Sequence, residues 1–227
     1  MAGLVRLLLA SFLLSVAMVS CLRFLPPPTS AMMLERRLEW MLAGGTPPPL
    51  RYQWVSWTAI APEMGLAVVA AEDQKFPLHS GFDFESIAET VEQAKRGHRP
   101  RGASTITQQV AKNLFLWSGR SYLRKGLEAY FTLLLELLWP KERILEVYLN
   151  IAEFGDGVYG VRAASQIFLA KGPAQLTRGD AALLAAVLPS PRRFSVKHPT
   201  AYVQERRQWI RVQMGRLGGV GYLKKRS

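Results

Sequence analysis

Residues Pro62 to Asp83 read PEMGLAVVAAEDQKFPLHSGFD. Proline suits the first position of a helix, and the run Leu66–Ala71 that follows offers no polar face. A helix apolar on every side belongs inside a core rather than on a surface. It ends in Glu72-Asp73, so the spacing predicts a buried helix that delivers a carboxylate to a cleft. Acidic groups at a helix C-terminus oppose the helix dipole, which makes the placement costly. Partial burial would lift the Glu72 carboxyl toward the range useful for a general base. A solvated helix end accounts for the same residues. His79 has no partner at metal-ligand spacing among the three histidines and reads as structural.

Outward from this stretch the chain reads as mainly α. Expected helices run from Ser30 to Trp40, from an Asp83 cap to Lys95, and from a Thr105–Gln108 capping box to Leu116. Further helices are expected at Arg120–Trp139, Lys141–Phe154, Ala181–Leu188 behind Thr177, and Pro199–Leu217. Only Tyr52–Ile60 suggests a strand. Arg96–Gly102 is a basic, breaker-rich loop. The expected organisation is an anchor over 1–25, a Pro-rich linker with a short helix over 26–50, and a catalytic domain over 51–227.

The anchor rests on residues 7–22, LLLASFLLSVAMVSCL, which carry no charge and lie between Arg6 and Arg23. With Leu4, Val5, Phe24 and Leu25 they reach the ~20 residues that span a bilayer core. A cleaved signal peptide and a lipidated Cys21 are the alternatives, but no small-x-small site precedes Pro26-Pro27-Pro28, and Met18-Val19-Ser20 is a poor approach to a lipidated cysteine. Arg6 and the terminal amine before the span are outnumbered by Arg23, Arg36 and Arg37 after it, which leans toward a cytoplasmic body. Trp40, Trp54, Trp57, Phe115, Leu116 and Trp117 could supply an interfacial belt, with at least half of them expected in the core.

The 227 residues carry 29 Lys and Arg against 17 Asp and Glu, a formal charge of +12, so anionic partners are expected. With 49% hydrophobic residues the chain can bury a core, and its single cysteine excludes an internal disulfide. Two further clusters could meet an anion. Gly102-Ala103-Ser104-Thr105-Ile106-Thr107-Gln108-Gln109 opens a helix with hydroxyls and amides, followed one turn on by Lys112 and Asn113. Capping explains Ser104, Thr105 and Gln108 but not Gln109, Lys112 and Asn113. Arg120, Arg124 and Glu128 fall at i, i+4 and i+8 beside Lys125, which suits either a pyrophosphate or an ordinary Arg–Glu pair on a solvated face.

Taken in order, these stretches resemble the peptidoglycan glycosyltransferase family of class A penicillin-binding proteins and monofunctional transglycosylases. The matching motifs are Glu72-Asp73-x-x-Phe76-x-x-His79-x-Gly81, then Gly102 through Gln109 with Lys112-Asn113, then Arg124-Lys125-x-x-Glu128. Lys141-x-x-Ile144-Leu145-x-x-Tyr148-Leu149-Asn150 and Ala182-x-Leu184 to Pro191 complete the series, which covers roughly Gly65 to Pro191. Ala152 to Gly157 looks like the monofunctional type.

The resemblance implies a lysozyme-like α-helical domain on a transmembrane helix, held at the bacterial inner membrane and facing the periplasm, against the charge bias. It implies lipid II and an undecaprenyl-pyrophosphate-linked glycan as substrates, with other cell-wall synthesis proteins as partners and no role for nucleic acid. Glu72 matches the catalytic base and Glu128 the second carboxylate, for which an orienting role is expected. Ser104, Gln109, Lys112, Asn113, Arg120 and Arg124 match substrate-binding positions, the cations facing the leaving pyrophosphate. No cofactor or metal ligand set is required by the sequence, although the resemblance is compatible with a divalent cation, magnesium or manganese. A lysozyme-like hydrolase or lytic transglycosylase is the alternative on the same fold, and a basic membrane- or nucleic-acid-binding protein is the alternative outside enzymes.

Overall fold

A computed structural model describes residues 1–44, 49–97 and 104–224. Its core is built around helix α3, Pro62–Glu72, in which Met64 to Ala70 are all buried. Pro62 opens it, as its fixed φ favours. At Gly65 an added Cβ would lie 2.9 Å from the Trp57 ring and 3.3 Å from Leu145, so the glycine lets neighbours close onto the helix. The second buried helix, α9 (Arg178–Val187), starts at a Thr177–Asp180 capping box and buries Ala181 to Val187. Helix α10, Ala201–Arg216, lies across both.

The other half of the body is α5 (Ile106–Phe115) packed against α6 (Tyr122–Leu138) and α7 (Lys141–Ile151). Helix α5 carries the expected capping box: Thr105 Oγ1 accepts from the Gln108 amide, and the Thr105 amide donates to the Gln108 side chain. Between the halves, α4 (Phe84–Lys95) starts at the Asp83 cap and buries none of its residues. Helix α8, Val161–Leu169, ends at Ala170 in the left-handed region, φ 53°. No start signal in the sequence announced it: its N-cap is Gly160, with no side-chain cap.

Three expectations are corrected. The strand at Tyr52–Ile60 is confined to β1, Arg51–Tyr52, because the Asn150 side chain takes the hydrogen bonds of the next segment. Its Oδ1 accepts from the Val55 amide at 2.8 Å and its Nδ2 donates to the Val55 carbonyl at 2.9 Å. The chain then forms a 3-10 turn at Trp57–Ala59. Helix α7 stops at Ile151 rather than Phe154, since β2 (Glu153–Gly155) pairs antiparallel with β3 (Val158–Tyr159), and β1 joins β3 in parallel. Helix α6 starts after Ser121, whose hydroxyl caps it, so Arg120 lies outside the helix. Residues 98–102 of the expected basic loop, and residue 103 after it, lie outside the described residues.

Helix α1, Ala2–Leu22, is long and apolar enough to cross a membrane by length and composition. Nearly all of it is exposed, and only Val19 is buried. Its C-terminal half docks beside α6 in the same direction: Ser15 Oγ lies 2.6 Å from the Tyr130 hydroxyl, and the Trp139 indole donates to the Val19 carbonyl. Arg143 closes the junction by donating to the carbonyls of Leu22 and Leu25. The linker helix α2, Ala31–Leu42, begins at the predicted Ser30 cap and buries Met33. Of the aromatic belt candidates, Leu116 is buried, Trp40, Trp54, Trp57 and Phe115 are half-buried, and Trp117 is exposed. Exposed apolar side chains on the body include Leu34, Leu38, Leu78, Leu123, Leu133 and Leu137, together with the aromatics Phe84, Tyr122, Tyr202 and Trp209.

Candidate active site

Glu72 closes α3 where the buried helix meets two clefts, of about 400 and 770 Å³, both bordered by Glu72 and Ser104. The larger is walled on its far side by the α10 residues Tyr202, Glu205, Arg206 and Trp209, at i, i+3, i+4 and i+7 of one helix face. The smaller runs beneath α4, along Asp83, Ser86 and Glu89. A carboxylate between two clefts can face two reactants at once.

The carboxylate is held at both oxygens. Oε1 accepts from Arg206 at 3.2 Å, and Oε2 accepts from the Gln109 amide at 3.3 Å. Tyr148 fixes which way that amide points: its hydroxyl donates to Gln109 Oε1 at 3.1 Å, leaving Nε2 for Glu72. Complete burial holds the Tyr148 phenol well above its usual titration range, so it remains a donor. Burial also raises the Glu72 carboxyl, while Arg206 and Gln109 pull it back and the neighbouring Asp73 adds to the rise. Arg206 Nε is buried without a hydrogen-bond partner among the described residues, which leaves a spare donor beside the carboxylate.

Asp73, 7% exposed, braces the end of α3 against the start of α5. Its Oδ2 accepts from the Ile106 amide at 2.9 Å, at the start of α5, and its two oxygens take His79 Nε2 at 3.0 and 3.1 Å. His79 is therefore structural, as its sequence context indicated. Thr105 Oγ1 donates to the Gly81 carbonyl, and Thr107 donates to Glu136, which also pairs with Lys141. These bonds fix α5 relative to Glu72.

Gln109, Lys112 and Asn113 lie half-buried on the open side of α5. Lys112 faces a second cluster around Glu128, which is only 3% exposed on α6. Arg124 donates to Glu128 Oε2 at 2.7 Å, and Lys125 pairs with Oε1. The solvated-surface reading of the Arg124–Glu128 pair is thus overturned by burial. Burial pulls Lys112 below its usual range, Glu128 offsets this, and the cations Arg124 and Lys125 reinforce it. Three cations around one carboxylate leave the cluster short of negative charge. An anion bound there would restore the balance.

Among the residues singled out from sequence, Glu72, Ser104 and Gln109 meet at the larger cleft, and Lys112, Arg124 and Glu128 form the cationic cluster one helical turn along α5. Asn113 stands beside Lys112. Arg120 is exposed ahead of the α6 cap and is not brought to Glu128 by a shared helix face. Sequence reasoning missed Arg206, which lies 134 positions from its partner and has no local signal. It quoted Tyr148 as part of a motif but gave it no role, since a tyrosine on an apolar helix face reads as core.

A model of the family described as Transglycosylase matches residues 44–215. The chain is 54% identical over 215 residues to the biosynthetic peptidoglycan transglycosylase of Xylella fastidiosa, covering 95% of this chain and 88% of that protein. It is 54% identical over 209 residues to the protein of that name from Xanthomonas campestris pv. campestris, with 92% and 85% covered. The one from Pseudomonas fluorescens is 54% identical over 210 residues, with 92% and 87% covered.

Proposed function

The chain belongs to the transglycosylase family and is a glycosyltransferase that polymerises the glycan of peptidoglycan; we propose that it does so from lipid II, with Glu72 as the base. The observation that carries this reading is Glu72 itself, a burial-raised carboxylate between two clefts with a cationic cluster one turn along the adjoining helix.

In the proposed reaction the 4-hydroxyl of the lipid II GlcNAc enters beside Glu72, which accepts its proton. The hydroxyl oxygen forms a bond to C1 of the MurNAc at the end of the growing chain. The C1–O bond to the undecaprenyl pyrophosphate breaks on the opposite face, and its electron pair leaves with the phosphate oxygen. Attack from behind converts an α-linked phosphate into a β-1,4 bond. A pyrophosphate is already a good leaving group, so it needs cations more than a second acid. Lys112 and Arg124 are assigned that task, with Lys125 beside them, and Glu128 holds Arg124 and Lys125 in place. Gln109 and Arg206 orient the base, while Ser104 and Asn113 are assigned to the sugars or phosphates passing between the clefts.

A divalent cation fits these residues poorly. Both Glu128 oxygens are occupied by basic side chains, and no three acidic, histidine or cysteine groups cluster among the described residues. Helix α1 fits a single-pass anchor, and the location proposed for it is the inner membrane with the body in the periplasm, where undecaprenyl-linked strands are polymerised. That places Arg23, Arg36 and Arg37 outside, against the charge bias.

The test is to incubate detergent-solubilised protein with labelled lipid II and, separately, with finished sacculi. Polymer that a muramidase cuts to disaccharides, with sacculi untouched, is the expected outcome. Release of soluble fragments from sacculi without polymerisation of lipid II would transfer the assignment to the hydrolytic alternative.

A further inference from the structure

The linker helix α2 precedes the residues that match the family model, which begin at 44. It nevertheless reaches the cationic cluster through one side chain. Glu35 accepts two hydrogen bonds from Ser118, one from the backbone amide at 2.9 Å and one from the hydroxyl at 2.6 Å. Ser118 lies in the short connection between α5 and α6. One residue further on, the Gly119 carbonyl accepts from Arg124 Nε at 2.6 Å. The other end of the same guanidinium grips buried Glu128.

Arg124 is thus held at two points. One is the rigid carboxylate of α6, and the other is a carbonyl on a loop that Glu35 fastens to α2. At Gly119 an added Cβ would come within 2.9 Å of the Trp117 ring, so the ring packs close against this part of the loop. Helix α2 is itself fixed to the body. Met33 is 1% exposed, and Arg36 lies over the Trp40 ring while pairing with Glu39 and Asp156. Arg192 adds a contact to Glu39 from beyond α9. At Gly157 an added Cβ would lie 2.8 Å from Trp40, so the turn between β2 and β3 closes directly onto α2. Two charge-assisted hydrogen bonds, one from the backbone and one from the side chain of Ser118, thus fasten the loop to a single carboxylate on α2.

We propose that Glu35 is a positioning residue for glycosyl transfer: through Ser118 and Gly119 it sets the orientation of Arg124 toward the leaving pyrophosphate, and so ties the helix next to the anchor to the chemistry. The proposal rests on the reading of Arg124 as a pyrophosphate ligand. It makes the linker part of the active machinery. Displacement of α2, by a partner or by movement of the anchor, would reach Arg124 through this contact.

The experiment compares Glu35→Gln, Ser118→Ala and Arg124→Lys, singly and paired, as full-length protein in detergent acting on lipid II. Glutamine keeps the shape of Glu35 but loses the charge, and Ser118→Ala removes one of the two bonds without touching α2. Each of the two is expected to lower kcat on the order of tenfold with KM within about twofold, the scale of a misplaced charged group. Inhibition by inorganic pyrophosphate should weaken in parallel. In the Arg124→Lys background neither change should lower kcat further, because a lysine has no Nε donor for the Gly119 carbonyl. Equal losses in both backgrounds, or wild-type kcat in both single variants, overturn the proposal. If Arg124→Lys itself matches wild type in kcat and in pyrophosphate inhibition, the pyrophosphate reading falls instead. If Glu35→Gln fails to fold, Ser118→Ala decides by the same criteria.

Discussion

At the residue scale, the rate should report the environment of Glu72. Burial raises its pKa and Arg206 lowers it, so the two act against each other. Glu72 works as a base only when ionised, so activity should rise with pH along a limb centred above the ordinary carboxylate value of 4.5. Removing the guanidinium leaves burial unopposed. Arg206→Ala should therefore move that limb upward, as read from kcat/KM against pH, and a downward or absent shift would break the link between the two residues. Tyr148→Phe should lower kcat on the order of tenfold, since Gln109 loses the bond that orients its amide, at a stability cost of about 1 kcal/mol. Unchanged kcat with a lowered melting temperature would make Tyr148 structural only. Glu72 was legible in the sequence because an apolar run ending in an acid is costly and so conspicuous. Arg206 was not, because nothing within a few residues of it says that α10 folds back over α3.

At the scale of elements, local rules reached far. The caps at Ser30, Asp83, Thr105, Ser121, Thr177 and Thr200 each accept from the backbone as such residues do. The helix boundaries they mark lie within a few residues of expectation. What failed were places where tertiary partners take over the backbone. Asn150 removes the hydrogen bonds a longer β1 would need, and Gly157 with Gly160 turns the end of α7 into a sheet. Gly160 has φ 83°, and a Cβ there would lie 2.6 Å from the Asn150 carbonyl oxygen. Gly160→Ala should therefore destabilise the protein by about 2–3 kcal/mol, from positive φ and from the clash together. Thermal unfolding checks this, and a loss under about 0.5 kcal/mol would mean that the turn can relax. The length of α6 was read well, but its start one cap later separates Arg120 from the face that holds Arg124 and Glu128.

For the whole molecule, helix α1 and the body form one docked unit through Ser15–Tyr130, Trp139–Val19 and Arg143–Leu22. Leucines are exposed on α2 and α6 as well as along α1, and α6 packs beside α1. A chain beginning at Ser30 should still polymerise lipid II in detergent and sediment with anionic liposomes at low salt. Salt should release it, because basic side chains contribute about 1 kcal/mol each near such a surface. A truncated protein wholly in the supernatant at low salt would make α1 the only membrane contact. Fold class and most of the candidate site's members were legible because buried helices and charged motifs are local. The distribution of exposed leucines over the assembled surface was not, since it depends on which faces meet. The central claim is that the carboxylate at the end of α3 takes the proton from the acceptor sugar. It is tested most directly by measuring lipid II polymerisation with Glu72→Gln, after circular dichroism and melting temperature show the protein folded. Loss of proton abstraction should cost at least ~10²–10⁴-fold in rate. Near-normal polymerisation by the folded variant would contradict the account.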